Sequence, residues 1–124
     1  MKLMNEEVLA HGEEEETVFD ENQLLDKLGG DRDFYNEIIR DFVEDAERIL
    51  SELEQAIAAN DREKAERSAH SLKGSSANIG ATALSRASLR VEKAVRERRM
   101  GAAGKLLCGM KDQFEKLKAA LAEE

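Results

Sequence analysis

His70, Lys73 and Gly74 are the residues of this 124-residue chain whose types and spacing suit chemistry. A helix advances about 100° per residue, which gathers Ala65, Ala69, Leu72, Ser76 and Ile79 into one stripe about 80° wide, the expected buried face. On that wheel His70 lies roughly 140° from the stripe's centre, beside Gly74 at about 180°, Ala77 at about 120° and Glu66 at about 100°. The imidazole is therefore expected in solvent among small neighbours. Lys73 at i+3 brings an ammonium within reach of a group carried on the ring, and Arg67 at i−3 borders the other side. Near neutral pH an imidazole offers a lone pair for in-line attack on phosphorus, and a phosphoryl group so acquired bears a dianionic charge that a lysine can offset. The set suits phosphoryl carriage better than acid hydrolysis or metal binding.

Any surface helix can carry a histidine; the company this one keeps sets it apart. Glycine within a helix costs about 1 kcal/mol relative to alanine, and no turn is needed at Gly74. Four residues from His70, the missing side chain clears a path for an incoming group or a partner surface. The apparatus for making a phosphoryl donor is missing, since the chain has neither a P-loop nor a kinase-type glycine-rich loop, nor a carboxylate cluster suited to magnesium. No cofactor, no resident metal and no autonomous use of ATP are expected. Gly29-Gly30 and the Gly101 to Gly104 stretch read as helix breaks or flexible helix starts. Cys108, among Leu106, Leu107 and Met110, reads as an ordinary small residue. A bundle-type metalloenzyme would need a Glu-x-x-His companion for His70, which is missing.

The elements that must position these residues are helices. The chain has no proline and 4% aromatic residues, and Ala, Leu, Glu, Lys and Arg dominate. A short helix over 19–28 ends at Gly29-Gly30. Asp31 is placed to N-cap a long second helix, in which Phe34, Ile38, Phe42, Ala46, Ile49, Leu50, Leu53, Ala56 and Ile57 recur at helical spacing. Asn60 with Glu63 resembles a capping box that opens the His70 helix, which ends near Gly80. Two more helices follow over 82–99, burying Leu84, Ala87, Val91, Ala94 and Val95, and 101–121, burying Leu106, Met110, Phe114, Leu117 and Leu121. Short connections favour antiparallel neighbours, so the expected fold is all-α, an up-down-up-down antiparallel four-helix bundle with a short additional N-terminal helix over one end.

Charge is unevenly spread. Residues 1–21 hold eight acidic groups against Lys2 alone, a balance of −7 out of the chain's −8. Residues 1–17 are read as an acidic tail without fixed structure, and residues 18–124 as the folded domain. The stretch 83–99 is basic, with Arg86, Arg90, Lys93, Arg96, Arg98 and Arg99 against Glu92 and Glu97. Without aromatic interleaving or a groove-reading motif, nucleic acid is not the expected partner; an acidic protein surface is. An adaptor that docks through this basic helix without phosphoryl chemistry is the competing reading. A single cysteine, no charged-then-apolar leader and no long apolar segment point to the cytoplasm and away from a membrane.

The pattern His70-x-x-Lys73-Gly74 followed by Gly80, within Ala69-His70-Ser71-Leu72-Lys73-Gly74-Ser75-Ser76-Ala77-Asn78, resembles the histidine-containing phosphotransfer (HPt) domains of bacterial two-component phosphorelays. The resemblance spans roughly residues 18–121, with the Leu28-Gly29-Gly30-Asp31 junction and the Phe42-x-x-Asp45 region. It implies a four-helix bundle whose His70 takes a phosphoryl group on its outer ring nitrogen from a receiver-domain aspartate and passes it to another. Lys73 would be the charge-stabilising lysine and Gly74 the position that admits the partner. Magnesium and much of the catalytic machinery would come from the receiver domains of response regulators or hybrid histidine kinases, met by a monomer of this chain.

Glu66, Arg67, Ala77, Ser85, Leu89 and Glu92 are the expected docking residues. Leu89, about 140° from the buried centre of its helix, is either an exposed apolar contact or a scattered surface leucine. Glu92 departs from the resemblance, because some HPt domains place a glutamine there to hydrogen-bond the imidazole. A carboxylate orients a ring N–H more strongly but repels a phosphoryl group, and it can instead pair with Arg96 at i+4.

Overall fold

In the computed structural model, which describes residues 17–122, every regular element is a helix. A short α1 (Glu21–Lys27) precedes four long ones: α2 (Arg32–Ala58), α3 (Arg62–Asn78), α4 (Thr82–Arg96) and α5 (Met100–Ala122). Each long helix packs on its sequence neighbours, and α2 meets α5 to close the ring, which is the expected antiparallel four-helix bundle. α1 packs against α2. Residues 1–16, most of the acidic tail, lie outside the described residues.

The helix starts follow from side-chain capping. Asp20, Asp31 and Asp61 accept hydrogen bonds from the backbone N–H of Gln23, Phe34 and Lys64, so each satisfies a donor that the first turn would otherwise orphan. The third of these corrects the sequence expectation, in which Asn60 opened α3. Asn60 instead adopts a left-handed φ of 58° and closes α2, because the N–H of Asp61 reaches back to the Ala56 carbonyl at 2.8 Å. α4 has no side-chain cap at Ala81; the chain before α1 substitutes, with the Thr17 carbonyl accepting from the Ala83 N–H at 2.8 Å.

Four helices end in the same way. At Gly29, Asn60, Gly80 and Arg98 the chain turns left-handed, and the next residue's N–H returns to a carbonyl five residues back, the Schellman arrangement. The glycines announce themselves in the sequence; Asn60 and Arg98 do not, and they bear the Cβ strain that glycine avoids.

The core is a continuous cluster from all five helices. The expected stripe of α3 is buried throughout: Ala65, Ala69, Leu72, Ser76 and Ile79. Two expectations shift by one residue. On α2, Phe34 is 46% exposed and Tyr35 takes the buried place, because Phe19 packs on the Tyr35 ring with centroids 6.4 Å apart and leaves the face one residue around uncovered. On α5, Leu107 is buried while Leu106 and Leu121 only border the core. Cys108 is exposed.

Candidate functional site

Small residues set up the site by letting α3 and α4 approach. Ala69 and Ser76 on α3, and Ala87 and Ser88 on α4, are all buried, and these two helices form the most extensive pair in the bundle. The Ser85 hydroxyl donates across the pair to the Lys73 carbonyl at 2.9 Å. Ser85 thus ties the helices together, besides standing on the surface where docking was expected.

His70 emerges from the middle of α3 with its side chain 65% exposed, as the wheel required. Its Nδ1 nevertheless lies 2.8 Å from Oε2 of Glu92 on α4, a carboxylate 1% exposed. Burial alone pushes the Glu92 carboxyl up, but the hydrogen bond with His70 and the adjacent Lys73 ammonium outweigh it and hold the group below the ordinary carboxylate range. An ionised carboxylate only accepts, so Nδ1 carries the hydrogen and the lone pair of the neutral ring falls on Nε2, the outward nitrogen.

Two cations flank the carboxylate. Lys73 Nζ lies 3.1 Å from Oε1, an ion pair close enough for the ammonium to offset the carboxylate's charge. Arg96 reaches Oε2 from one turn along α4 and extends its Nε to Glu66 at 3.0 Å, closing a link back to α3. The pairing of Glu92 with Arg96 and the orientation of His70 by Glu92 are thus both present, on one oxygen. Glu92 is corrected in one respect: expected on the docking surface, it is buried between the helices, because the more exposed side chains of His70, Lys73 and Arg96 close over its carboxylate.

The other expected docking residues divide into two flanks. Glu66 and Arg67 border an open groove on one side of His70, together with Ser71 and Arg96. Ala77, Ser85 and Leu89 line a smaller hollow further along the same seam toward the α3–α4 turn, shared with Lys73, and Leu89 is 38% exposed. Gly74 lies on the exposed surface, and a Cβ built there would meet nothing within 4 Å. The chain itself gives no reason for a glycine at this position. The sequence reading missed the Glu66–Arg96 bridge and the serine tie; the burial of Glu92 had a visible signal, for Ser88, Glu92 and Val95 form one i, i+4, i+3 row beside the apolar stripe.

The sequence profile described as "Hpt domain" matches residues 37–120. The chain belongs to the Hpt domain family. Among curated proteins, this Hpt domain is 40% identical over 67 residues to "Histidine-containing phosphotransfer protein 2" of Oryza sativa subsp. japonica, a match covering 51% of this chain and 44% of the rice protein. The chain therefore spans less than half the length of that relative. Among solved structures, it is similar to histidine-containing phosphotransfer protein B (HptB) from Pseudomonas aeruginosa PAO1, with a TM-score of 0.79 at 27% identity over 86% of this chain and 92% of that one. The HPT domain of the Hpt sensor hybrid histidine kinase from Shewanella shares the fold, with a TM-score of 0.72 at 15% identity over the same shares. Among the described residues of this Hpt domain, no helix is long and apolar enough to cross a membrane.

Proposed function

We propose that this Hpt domain relays a phosphoryl group between receiver-domain aspartates through phospho-His70. The observation that carries the reading is the asymmetry of the ring: Nδ1 is engaged by buried Glu92 while the ring itself stands in solvent, which presents Nε2 to a partner. Lys73 stands one turn along α3, placed to meet a phosphoryl group on that nitrogen. The donor's carboxylate is the leaving group and its own site supplies magnesium, so this chain acts as a carrier and not as a kinase.

The two flanks around His70 supply the docking surface. Leu89, Ala77 and the rim of Lys73 offer a small apolar hollow, Glu66 and Arg67 a charged border, and Gly74 the clearance between them. Work as a monomer in the cytoplasm, with residues 18–124 as the functional domain, completes the reading. The test is transfer of label from a phosphorylated receiver domain to the wild-type chain and to His70→Gln. Label on the wild type and none on the variant is expected; undiminished labelling of the variant overturns the assignment.

A further inference from the structure

We propose that the four glutamates at residues 13–16 of this chain's own N-terminal segment cover the outer face of α4 and compete there with the receiver domain. The inference rests on the carrier reading and adds to it a control on access to His70.

α4 turns Arg86, Leu89, Arg90 and Lys93 to solvent at i, i+3, i+4 and i+7, which makes them one stripe of its surface. The helix contains a single acidic residue, Glu92, and that one is buried and engaged by His70, Lys73 and Arg96. The stripe is therefore basic with no acidic residue of its own helix to answer it. The outer faces of α2 and α5 are built differently: Arg48 lies between Asp45 and Glu52, Lys116 beside Asp112, and Lys118 beside Glu115. Among the described residues, no carboxylate pairs with Arg86 or Lys93.

The occupant follows from charge and from where the chain enters. Residues 1–16 carry six glutamates against Lys2. They join the bundle beside this face, because the Thr17 carbonyl accepts from the Ala83 N–H at 2.8 Å, on the first turn of α4. From Arg86 to Lys93 the stripe covers about 4 to 15 Å of helix axis beyond Ala83, and four extended residues span about 13 Å. The glutamates at 13–16 thus have the tether, the length and the sign to match it. A short tether holds them at an effective concentration of about millimolar, which favours them over a second copy of the chain. Arg86 and Leu89 also line the hollow assigned to the receiver domain. A receiver must displace the glutamates to use that hollow, and an acidic receiver surface is suited to do so because it answers the same cations.

The experiment compares three full-length chains. One is wild type, one carries Glu13→Gln, Glu14→Gln and Glu15→Gln, and a control loses the same charge on α2 through Glu37→Gln, Asp41→Asn and Glu44→Gln. These control residues are exposed on a helix that packs on α3 and α5. Nitrogen-15 spectra of the arginine Nε–H groups at about 20 mM salt, without partner, should show Arg86 and Arg90 moved in the N-terminal variant and unmoved in the control. Salt at about 0.5 M should bring wild type to the position of the N-terminal variant. At low salt a receiver domain should bind that variant about threefold more tightly than wild type, with the control close to wild type. Unmoved arginine signals, unchanged receiver affinity, or equal tightening in the control overturn the proposal. Movement that grows with protein concentration assigns the face to a second copy and overturns it as well. Failure of every chain to take label at His70 overturns the carrier reading instead, and the arginine signals still decide whether the glutamates cover α4.

Discussion

Glu92 and His70 sit 2.8 Å apart across the α3–α4 seam, one side chain 1% exposed and the other 65%. The pair joins the interior of the bundle to its surface through one hydrogen bond. The buried partner fixes the ring's tautomer and orientation, and the exposed one remains accessible, so the outer ring nitrogen is presented at the surface beside an open groove.

Gly74→Ala separates fold from function. A Cβ meets nothing in the chain, and alanine is the better helix former by about 1 kcal/mol, so the variant should melt a few degrees higher. Transfer from a receiver domain should nevertheless slow, since the added methyl stands in the clearance beside His70. Calorimetry and a labelling time course read the two effects; a faster or unchanged transfer would contradict the clearance role.

Lys73→Ala removes the ammonium beside the Glu92 carboxylate, which in the proposed relay also offsets the charge of the arriving phosphoryl group. Transfer should slow by about tenfold or more, the equivalent of roughly 1.4 kcal/mol in the transition state, while the circular dichroism spectrum stays helical. A rate equal to that of the parent would remove Lys73 from the chemistry.

Acid should weaken the fold through Glu92. Its carboxyl is held below the ordinary value of about 4.3, since burial, which raises it, is outweighed by His70 and Lys73. As pH drops from about 5, the unfolded chain takes up this proton before the folded one does, so the stabilisation is complete above that range and is lost as pH falls through the folded value. Urea midpoints between about pH 6 and pH 3 should fall less steeply in Glu92→Gln than in wild type. Parallel curves would count against the assignment.

Leu89→Asp probes the apolar hollow. At 38% exposure the residue contributes little to the core, so the melting temperature should hardly change. Affinity for a receiver domain, by calorimetric titration, should weaken by about tenfold as an apolar contact is replaced by a charge. An unchanged Kd would leave Leu89 a scattered surface leucine.

Arg98→Gly should stabilise the protein. Arg98 ends α4 at a φ of 64°, where a Cβ is strained, and glycine relieves about 1 kcal/mol of that strain, offset in part by the greater freedom it gives the unfolded chain. Chemical denaturation measures the net gain, and a loss would show that the arginine side chain supplies more than its backbone costs.

The wheel of α3 was legible because five apolar or small residues share one narrow face, and burial follows that face without exception from Ala65 to Ile79. The outward direction of His70 came with it. What the sequence withheld were features decided between elements. Phe34 and Tyr35 compete for one buried place, and the choice falls to Phe19, from the chain before α1. Asn60 has the side chain of a helix starter, yet Asp61 beside it caps α3 and leaves Asn60 to end α2. Glu92 on a basic helix offered several arginines and a histidine as partners. Only the closeness of α3 and α4 shows that one carboxylate serves His70, Lys73 and Arg96 together.

The turn at Gly80 makes the spacing between His70 and Glu92 a molecular ruler. From His70 the chain climbs about 12 Å to the end of α3, reverses within three residues, and descends about 15 Å along α4 to Glu92. One residue inserted on either side of the turn would lift one partner by about 1.5 Å and swing it through about 100°, enough to part the two while the bundle still folds. The pairing of the imidazole with its carboxylate is thus encoded in a residue count as much as in residue identity, and a hairpin of another length would need a different partner for the ring.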